Sequence, residues 1–539
     1  MLLDLRRALL LAKIFISTAA PLLARRLLGF KIQPATVGRQ LRLAFQRMGI
    51  TYIKLGQFLA MRFDILPEDV CRELTRLFDK VPPMAAKEVK ETLEAEFMKP
   101  VQDVFADFEW SCIAAASVAQ VHRATTHDGQ IVAVKVQRPE IARLFAADIR
   151  NFRRLARIGD YMKLFGSQSI AEAINEFERY TRREMDFVVE GRTAERLRHN
   201  AGRGETAPRV FWNLTTKRVL TTEFIDGYPL SEIIHMIEAG RRKELEQLAP
   251  GLDLDLAVHH LSWACLRQLF VTGFFHADPH PGNIFLKKDG TVAFVDFGIF
   301  GQLTAERRET LASYIENLSV GNVEQSYRHF VKLLQPTIQT DMIALRRDIH
   351  GIMHRWHQAS KESDAAVSER HLGTYFSEFI YAIRRNNITM SMDTLLFWRA
   401  ILTLDTTALR LGSQFDLLST LRDFFRATRP TPFERFLDLT LNRDLALTVL
   451  RTKREMPSRL QTVVNSAAQR RYELSLMQSA VRPNGSLDRG ARLISLAIIL
   501  GSLVILAIAQ PPGGITGQVL LWGTTLSLAT LTLKRLARR

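Results

Sequence analysis

His276-Ala277-Asp278-Pro279-His280-Pro281-Gly282-Asn283 sets an aspartate and an asparagine five residues apart, and Asp296-Phe297-Gly298 begins thirteen residues beyond Asn283. Between the two segments, Ile284-Phe285-Leu286 and residues 291–295 flank Asp289-Gly290, which predicts a β-hairpin that delivers Asp296 at its end. An aspartate and an asparagine offer hard oxygen ligands suited to Mg2+, and a second carboxylate suits a base or a water-positioning group. The pattern predicts phosphoryl transfer from ATP, with Asn283 and Asp296 on the metal and Asp278 at the attacking oxygen. His276, Asp278 and His280 also suggest a metal cluster. No further His or Cys stands at zinc-ligand spacing, so that reading is set aside and His276 is expected to be a structural loop residue.

Upstream, residues 121–124 and 130–136 flank Asp128-Gly129, a second predicted hairpin. Strand alternation puts Val132, Val134 and Val136 on one face, and Ala133 and Lys135 on the other. Val132-Ala133-Val134-Lys135 matches the kinase strand whose lysine holds the α- and β-phosphates, and HxDxxxxN and DFG follow in order. One of these motifs alone is weak; three in order on the expected elements are strong. Two departures stand out. Ala114-Ala115-Ala116-Ser117 occupies the place of a glycine-rich nucleotide loop, without the φ > 0 freedom of glycine. No A-P-E triplet follows Asp296, and helical sequence resumes by Thr304, so a peptide-docking activation segment is not expected. Residues 218–227 read as a strand ending at Asp226-Gly227, with Glu223 to Ile225 as a hinge that meets adenine through backbone groups. For the glutamate that should pair with Lys135, Glu176 and Glu178 both fit.

Further segments carry a resemblance. Lys54-Leu55-Gly56-Gln57 is similar to a KxGQ signature, with Arg62, Asp64 and Leu66-Pro67 after it. The run 114–122 resembles an alanine-rich loop, and Glu184-Met185-Asp186-Phe187 resembles an ExD motif. Together these resemble the UbiB/ADCK-type (aarF-domain) atypical kinases of bacterial and mitochondrial ubiquinone biosynthesis, over about residues 35–303. The resemblance implies that the KxGQ residues Lys54 and Gln57 and the ExD residues Glu184 and Asp186 fold over the site. It also implies that Ala114, Ala115, Ala116 and Ser117 tune nucleotide handling, and that ATP hydrolysis is a firmer expectation than protein phosphorylation. Cys112 stands where the family often has proline.

The ends of the chain suggest where this chemistry happens. Residues 493–509 are 17 uncharged residues, 511–514 are Pro-Pro-Gly-Gly, and 515–533 are 19 more uncharged residues. Each run approaches the ~20 residues that cross ~30 Å of hydrocarbon. Arginine and lysine flank the pair and none sits in the turn, which predicts a helical hairpin with both ends cytoplasmic. The N-terminal segment is basic and mixed with apolar residues, as expected for an amphipathic stretch at a membrane interface. Lys and Arg number 73 against 56 Asp and Glu, a net charge of +17. The membrane accounts for that excess, so anionic lipid is an expected partner and nucleic acid is not. Three dispersed cysteines build no disulfide framework and fit a reducing compartment.

The fold class expected is α+β: a two-lobed protein-kinase-like fold with an N-terminal helical extension and a C-terminal transmembrane helical hairpin. The expected divisions are 1–30 (basic amphipathic segment), 31–110 (KxGQ helical extension), 111–226 (N-lobe with the ExD helical insert), 227–345 (C-lobe), 346–490 (helical C-terminal region) and 491–539 (two transmembrane helices). The expected cofactors are ATP and Mg2+, and the further partners are quinone precursors or ubiquinone-biosynthesis proteins. The expected location is the bacterial inner membrane, with the kinase-like body in the cytoplasm. The competing readings are a nucleotide-switched lipid-binding scaffold without catalysis, and a small-molecule kinase.

Overall fold

The computed structural model describes residues 33–428, apart from 65, 79–81, 162–169, 337–339, 362–370, 387 and 412–414, together with residues 7, 10–11, 13–14, 17–18, 20–21 and 28. Both apolar runs of the expected hairpin lie outside the described residues, and among those described no helix is long and apolar enough to cross a membrane.

Helices α1 (Pro34–Met48), α2 (Ile50–Ala60) and α3 (Glu68–Thr75) form a cap with its own small core around Phe45, Met48, Tyr52 and Leu74. Gly49 divides α1 from α2 at φ 94°, a backbone angle that glycine reaches without strain. Gly56 of the KxGQ segment is needed for contact, since a Cβ there would stand 2.2 Å from Leu77 and 2.8 Å from Phe45. Leu11 joins this cluster from the N-terminal segment. Arg7 donates to both oxygens of Asp148, at 2.9 and 3.0 Å, and to the Met48 carbonyl. These residues of the expected membrane-facing segment therefore turn inward.

After Pro82-Pro83 the chain changes allegiance. Helix α4 (Ala86–Phe97) packs on an antiparallel N-lobe sheet of order β1 (Asp107–Phe108), β3 (Ala119–Thr125), β4 (Ile131–Gln137), β6 (Val219–Glu223), with β2 (Ala114–Ala115) also on β3. The predicted alternation holds: Val132, Val134 and Val136 are fully buried against α4, while Lys135 faces the other way. Between β4 and β6 come α5 (Ile141–Tyr161), α6 (Ile170–Glu184) and α7 (Phe187–Asn200).

The C-lobe begins with α8 (Leu230–Glu238), α9 (Arg242–Leu248) and α10 (Leu254–Arg267). The predicted hairpin is β9 (Ile284–Leu286) with β10 (Val292–Phe294), flanked by β7 (Tyr228–Pro229) and β5 (Glu205–Thr206). Its turn residue Gly290 takes φ 77°. Strands β8 (Phe274–His276) and β11 (Phe300–Gln302) pair with each other, and Thr304 then caps α11 (Ala305–Ser319) by accepting from the Arg307 amide. Helices α12 (Val323–Val331), α13 (Met342–Lys361), α14 (Leu372–Arg385), α15 (Met392–Arg410) and α16 (Leu417–Thr428) complete the described chain. Residue 345 is no boundary of packing. Phe397, Trp398 and Leu404 of α15 share one hydrophobic core with Leu266, Phe275 and Tyr314 of the C-lobe.

Candidate active site

Lys135 stands on β4 opposite Val121 and Leu220, with its side chain directed at the inserted helices. Its ammonium lies 2.5 Å from Glu190 Oε1, 3.1 Å from Asp296 Oδ1, and 5.5 Å from the centre of the Phe187 ring. Glu190 replaces both expected partners. Glu176 faces Arg62, and Glu178 is held by Arg153 and Arg182. The local cause is a helix cap: the Asp186 carboxylate accepts from the Val188 amide at 3.1 Å and starts α7 at Phe187, which puts Glu190 one turn into the helix. The Phe297 amide also donates to Glu190, at 3.4 Å, so one glutamate ties the lysine to the DFG segment.

Across the site, the Val295 amide donates to the Asn283 carbonyl at 3.0 Å, which lodges Asn283 beside the strand that ends at Asp296. The Asn283 amide nitrogen points at the Asp278 carbonyl, 3.4 Å away, and its oxygen is turned from it. Asp278 is ion-paired with Arg399 of α15 at 2.8 Å. His276 is structural, as expected. Its Nδ1 accepts from the Asp278 amide, so Nε2 carries the proton and donates to the Asp296 carbonyl at 2.7 Å. Burial lowers its pKa and keeps the ring neutral. Below the loop, Gln268 receives the His276 amide at 2.9 Å and donates to buried Glu205 at 2.7 Å.

A family profile described as the ABC1 atypical kinase-like domain matches residues 76–330, the stretch that contains Lys135, Glu190, Asp278, Asn283 and Asp296. Residues 76–330 thus carry the ABC1 atypical kinase-like domain of the ABC1/UbiB/ADCK family. The chain is 32% identical over 313 residues to Protein ACTIVITY OF BC1 COMPLEX KINASE 7, chloroplastic, of Arabidopsis thaliana, which covers 57% of this chain and 43% of that protein. It is 31% identical over 384 residues to the uncharacterized protein sll1770 of Synechocystis, covering 70% of this chain and 62% of that one. The chain thus spans less than two thirds of the length of either relative. Among solved structures it is similar to the Rv3197–erythromycin complex from Mycobacterium tuberculosis, at 20% identity and a TM-score of 0.48 over 65% of this chain and 84% of that one.

In this ABC1 domain the alanine-rich loop is partly a strand: Ala114 and Ala115 pair with Val121 and Gln120, the Ala116 amide donates to the Ala119 carbonyl, and Ser117 is buried. Arg138 binds the Ala116 carbonyl at 3.1 Å and the Pro82 carbonyl at 2.6 Å, while Gln120 accepts from the Met84 amide at 2.6 Å. The linker from cap to N-lobe is thereby fastened to the alanine-rich loop. At the expected hinge, the Glu223 amide is taken by the Arg209 carbonyl and its carboxylate by Arg198 and the Arg209 amide, and Ile225 is buried.

The KxGQ and ExD segments meet through one ion pair, Lys54 with Glu184, both largely buried. Gln57 does not reach the site: its amide donates to the Leu77 carbonyl at 3.0 Å and braces the cap itself. The packed surroundings of Asp296 would raise its carboxyl, but the positive charges of Lys135 and Lys54 outweigh this and hold Asp296 below the usual carboxylate range. Burial opposes the charge on Lys135, and Asp296 and Glu190 outweigh it and raise the lysine above its usual range. Burial pushes Glu190 up to about 7 against the pull of Lys135. An ionised Asp296, 45% exposed, and the side-chain oxygen of Asn283, whose backbone is lodged against the strand that ends at Asp296, are of the type that would suit Mg2+ completed by phosphate oxygens.

Proposed function

We propose that this ABC1 protein is a Mg-ATP-dependent atypical kinase or ATPase that supports ubiquinone biosynthesis from the bacterial inner membrane. The observation that carries the reading is Lys135 held at once by Glu190 and Asp296, with Asn283 beside Asp296. That is the arrangement a phosphate-anchoring lysine and a metal-holding carboxylate adopt in phosphoryl transfer. Mg2+ would be held by Asp296 and Asn283 and would offset charge on the β- and γ-phosphates. Lys135 would hold the α- and β-phosphates, residues 223–225 would border adenine, and Asp278 would orient and deprotonate the attacking oxygen. Strand β11 follows Gly298 almost at once and pairs with β8, so no long activation segment lies in front of Asp278. This favours water or a small hydroxyl acceptor over an extended peptide. The basic, apolar ends of the chain support a lipid-facing role beside membrane-bound quinone precursors or the enzymes that handle them.

The Lys54–Glu184 latch favours a second reading, in which nucleotide binding drives a scaffold without phosphate transfer. Measuring ATP hydrolysis by the full chain, with and without anionic vesicles and a quinone-precursor mimic, separates the two. The kinase or ATPase reading expects Mg2+-dependent phosphate release that Asp278→Asn abolishes. Binding of Mg-ATP without any release would leave the scaffold. No binding at all would overturn both. For the membrane hairpin, a cysteine introduced at Gly513 should react with an impermeant thiol reagent from outside the cell. Reaction only from the cytoplasmic face would remove the hairpin.

A further inference from the structure

A buried hydroxyl near the candidate site belongs to none of its motifs. Tyr180 lies four residues after Glu176 and four before Glu184 on α6, so the three share one helical face. Glu176 faces Arg62 at 3.8 Å and Glu184 pairs with Lys54, which turns that face toward the cap. The Tyr180 ring is 6.0 Å from Phe58 of the cap. The far end of the face abuts the DFG segment, because a Cβ on Gly298 would stand 3.5 Å from both Glu184 Cγ and Asp296 Oδ1. The Tyr180 hydroxyl and Glu184 Oε2 are both buried, and neither has a hydrogen-bond partner among the described residues. Glu184, Arg399, Asp278 and Asp296 are the charges that act on this phenol, and burial keeps it protonated. A buried donor left unpaired is costly, and a ligand oxygen would remove that cost.

We propose that Tyr180 is a further catalytic residue, whose hydroxyl donates a hydrogen bond to a non-bridging oxygen of the terminal phosphate of ATP. The inference rests on the ATP-site reading and deepens it. Asp278, Asp296 and Glu184 already supply acceptors, so a neutral donor acts where phosphoryl oxygens bring negative charge. During transfer the bond from the terminal phosphorus to the ADP oxygen breaks and a bond to water or an acceptor hydroxyl forms. The proton of that nucleophile passes to Asp278, and Tyr180 keeps its own.

Tyr180→Phe deletes only the hydroxyl and retains the contact with Phe58. Its affinity for ADP should match that of the parent and its affinity for Mg-ATP should weaken, while kcat/KM should fall roughly ten-fold or more, in line with loss of one preorganised donor. Affinity for ADP with aluminium fluoride, a mimic of the transferring phosphoryl group, should weaken by about the same factor, which reads the contact even where turnover is slow. Equal turnover and equal aluminium fluoride affinity in the two proteins would overturn the Tyr180 assignment alone. A parent that binds no Mg-ATP would overturn it together with the ATP-site reading.

Discussion

Arg399 Nη2 lies 2.8 Å from Asp278 Oδ2, so the aspartate of the HxDxxxxN loop is held by a helix that follows the two lobes in sequence. Both side chains are mostly buried, and the pair fixes which way the carboxylate points. Arg399→Met should lower kcat by roughly ten-fold, about 1.4 kcal/mol of barrier, with little change in Mg-ATP affinity. Steady-state kinetics with parallel nucleotide titrations checks the split. A fall in affinity with kcat intact would assign Arg399 to the nucleotide.

Lys54 and Glu184 join cap to inserted helix where water is largely excluded. Removing one partner leaves a charge without its counterpart, at a cost on the order of 3–5 kcal/mol for a buried pair. Lys54→Met should therefore lower the melting temperature by several degrees, and adding Glu184→Gln should recover much of the loss. Thermal unfolding of the four proteins in the cycle measures the coupling, and additive effects would deny it.

Arg138 bonds the carbonyls of Ala116 and Pro82, which makes the cap linker a brace for the alanine-rich loop. Arg138→Met should loosen residues 114–117 and weaken ADP binding several-fold, while the unfolding temperature barely moves because the guanidinium is partly exposed. Hydrogen exchange at Ala116 with an ADP titration tests this. Unchanged exchange and affinity would make the contact incidental.

Asp405 sits almost fully buried at the start of α14, where it accepts from the Leu372 amide at 2.9 Å and lies 3.3 Å from His371 Nδ1. Burial pushes its carboxyl up from 3.8 to about 7, the Leu372 amide opposes this and Asp416 adds to it. The folded protein then keeps a proton that the unfolded chain gives up. Stability from this group is greatest at low pH and is lost as pH rises from about 4 to about 7. The melting temperature of Asp405→Asn, relative to the parent, should accordingly rise between pH 5 and pH 8. A constant difference would contradict the linkage.

The pieces of the candidate site were legible as local elements because each is short in sequence. Alternating valines aim Lys135, two Asp-Gly turns place the hairpins, and Asp278, Asn283 and Asp296 belong to neighbouring loops. Glu190 was missed for want of a cap reading: Asp186 followed four residues later by Glu190 is the spacing of an N-cap and a first-turn carboxylate, and that signal was available. Arg399 carries no such mark. It lies 121 residues from Asp278 and reaches it only because α15 packs under the C-lobe, a relation that periodicity cannot show. Gln57 was misplaced because a sequence signature tells which residues recur together and not which of them face the ligand.

Arg7 and Asp148 bring a practical consequence. Protein chemists commonly shorten or tag a basic leader on the assumption that it is dispensable. Here a chain starting after Arg7 would have to fold α5 around a carboxylate with no exposed surface and no counter-ion among the described residues. Poor yield or lost activity in such a shortened protein would then report a missing guanidinium far from the phosphates, and would be easily mistaken for proof that the leader regulates catalysis.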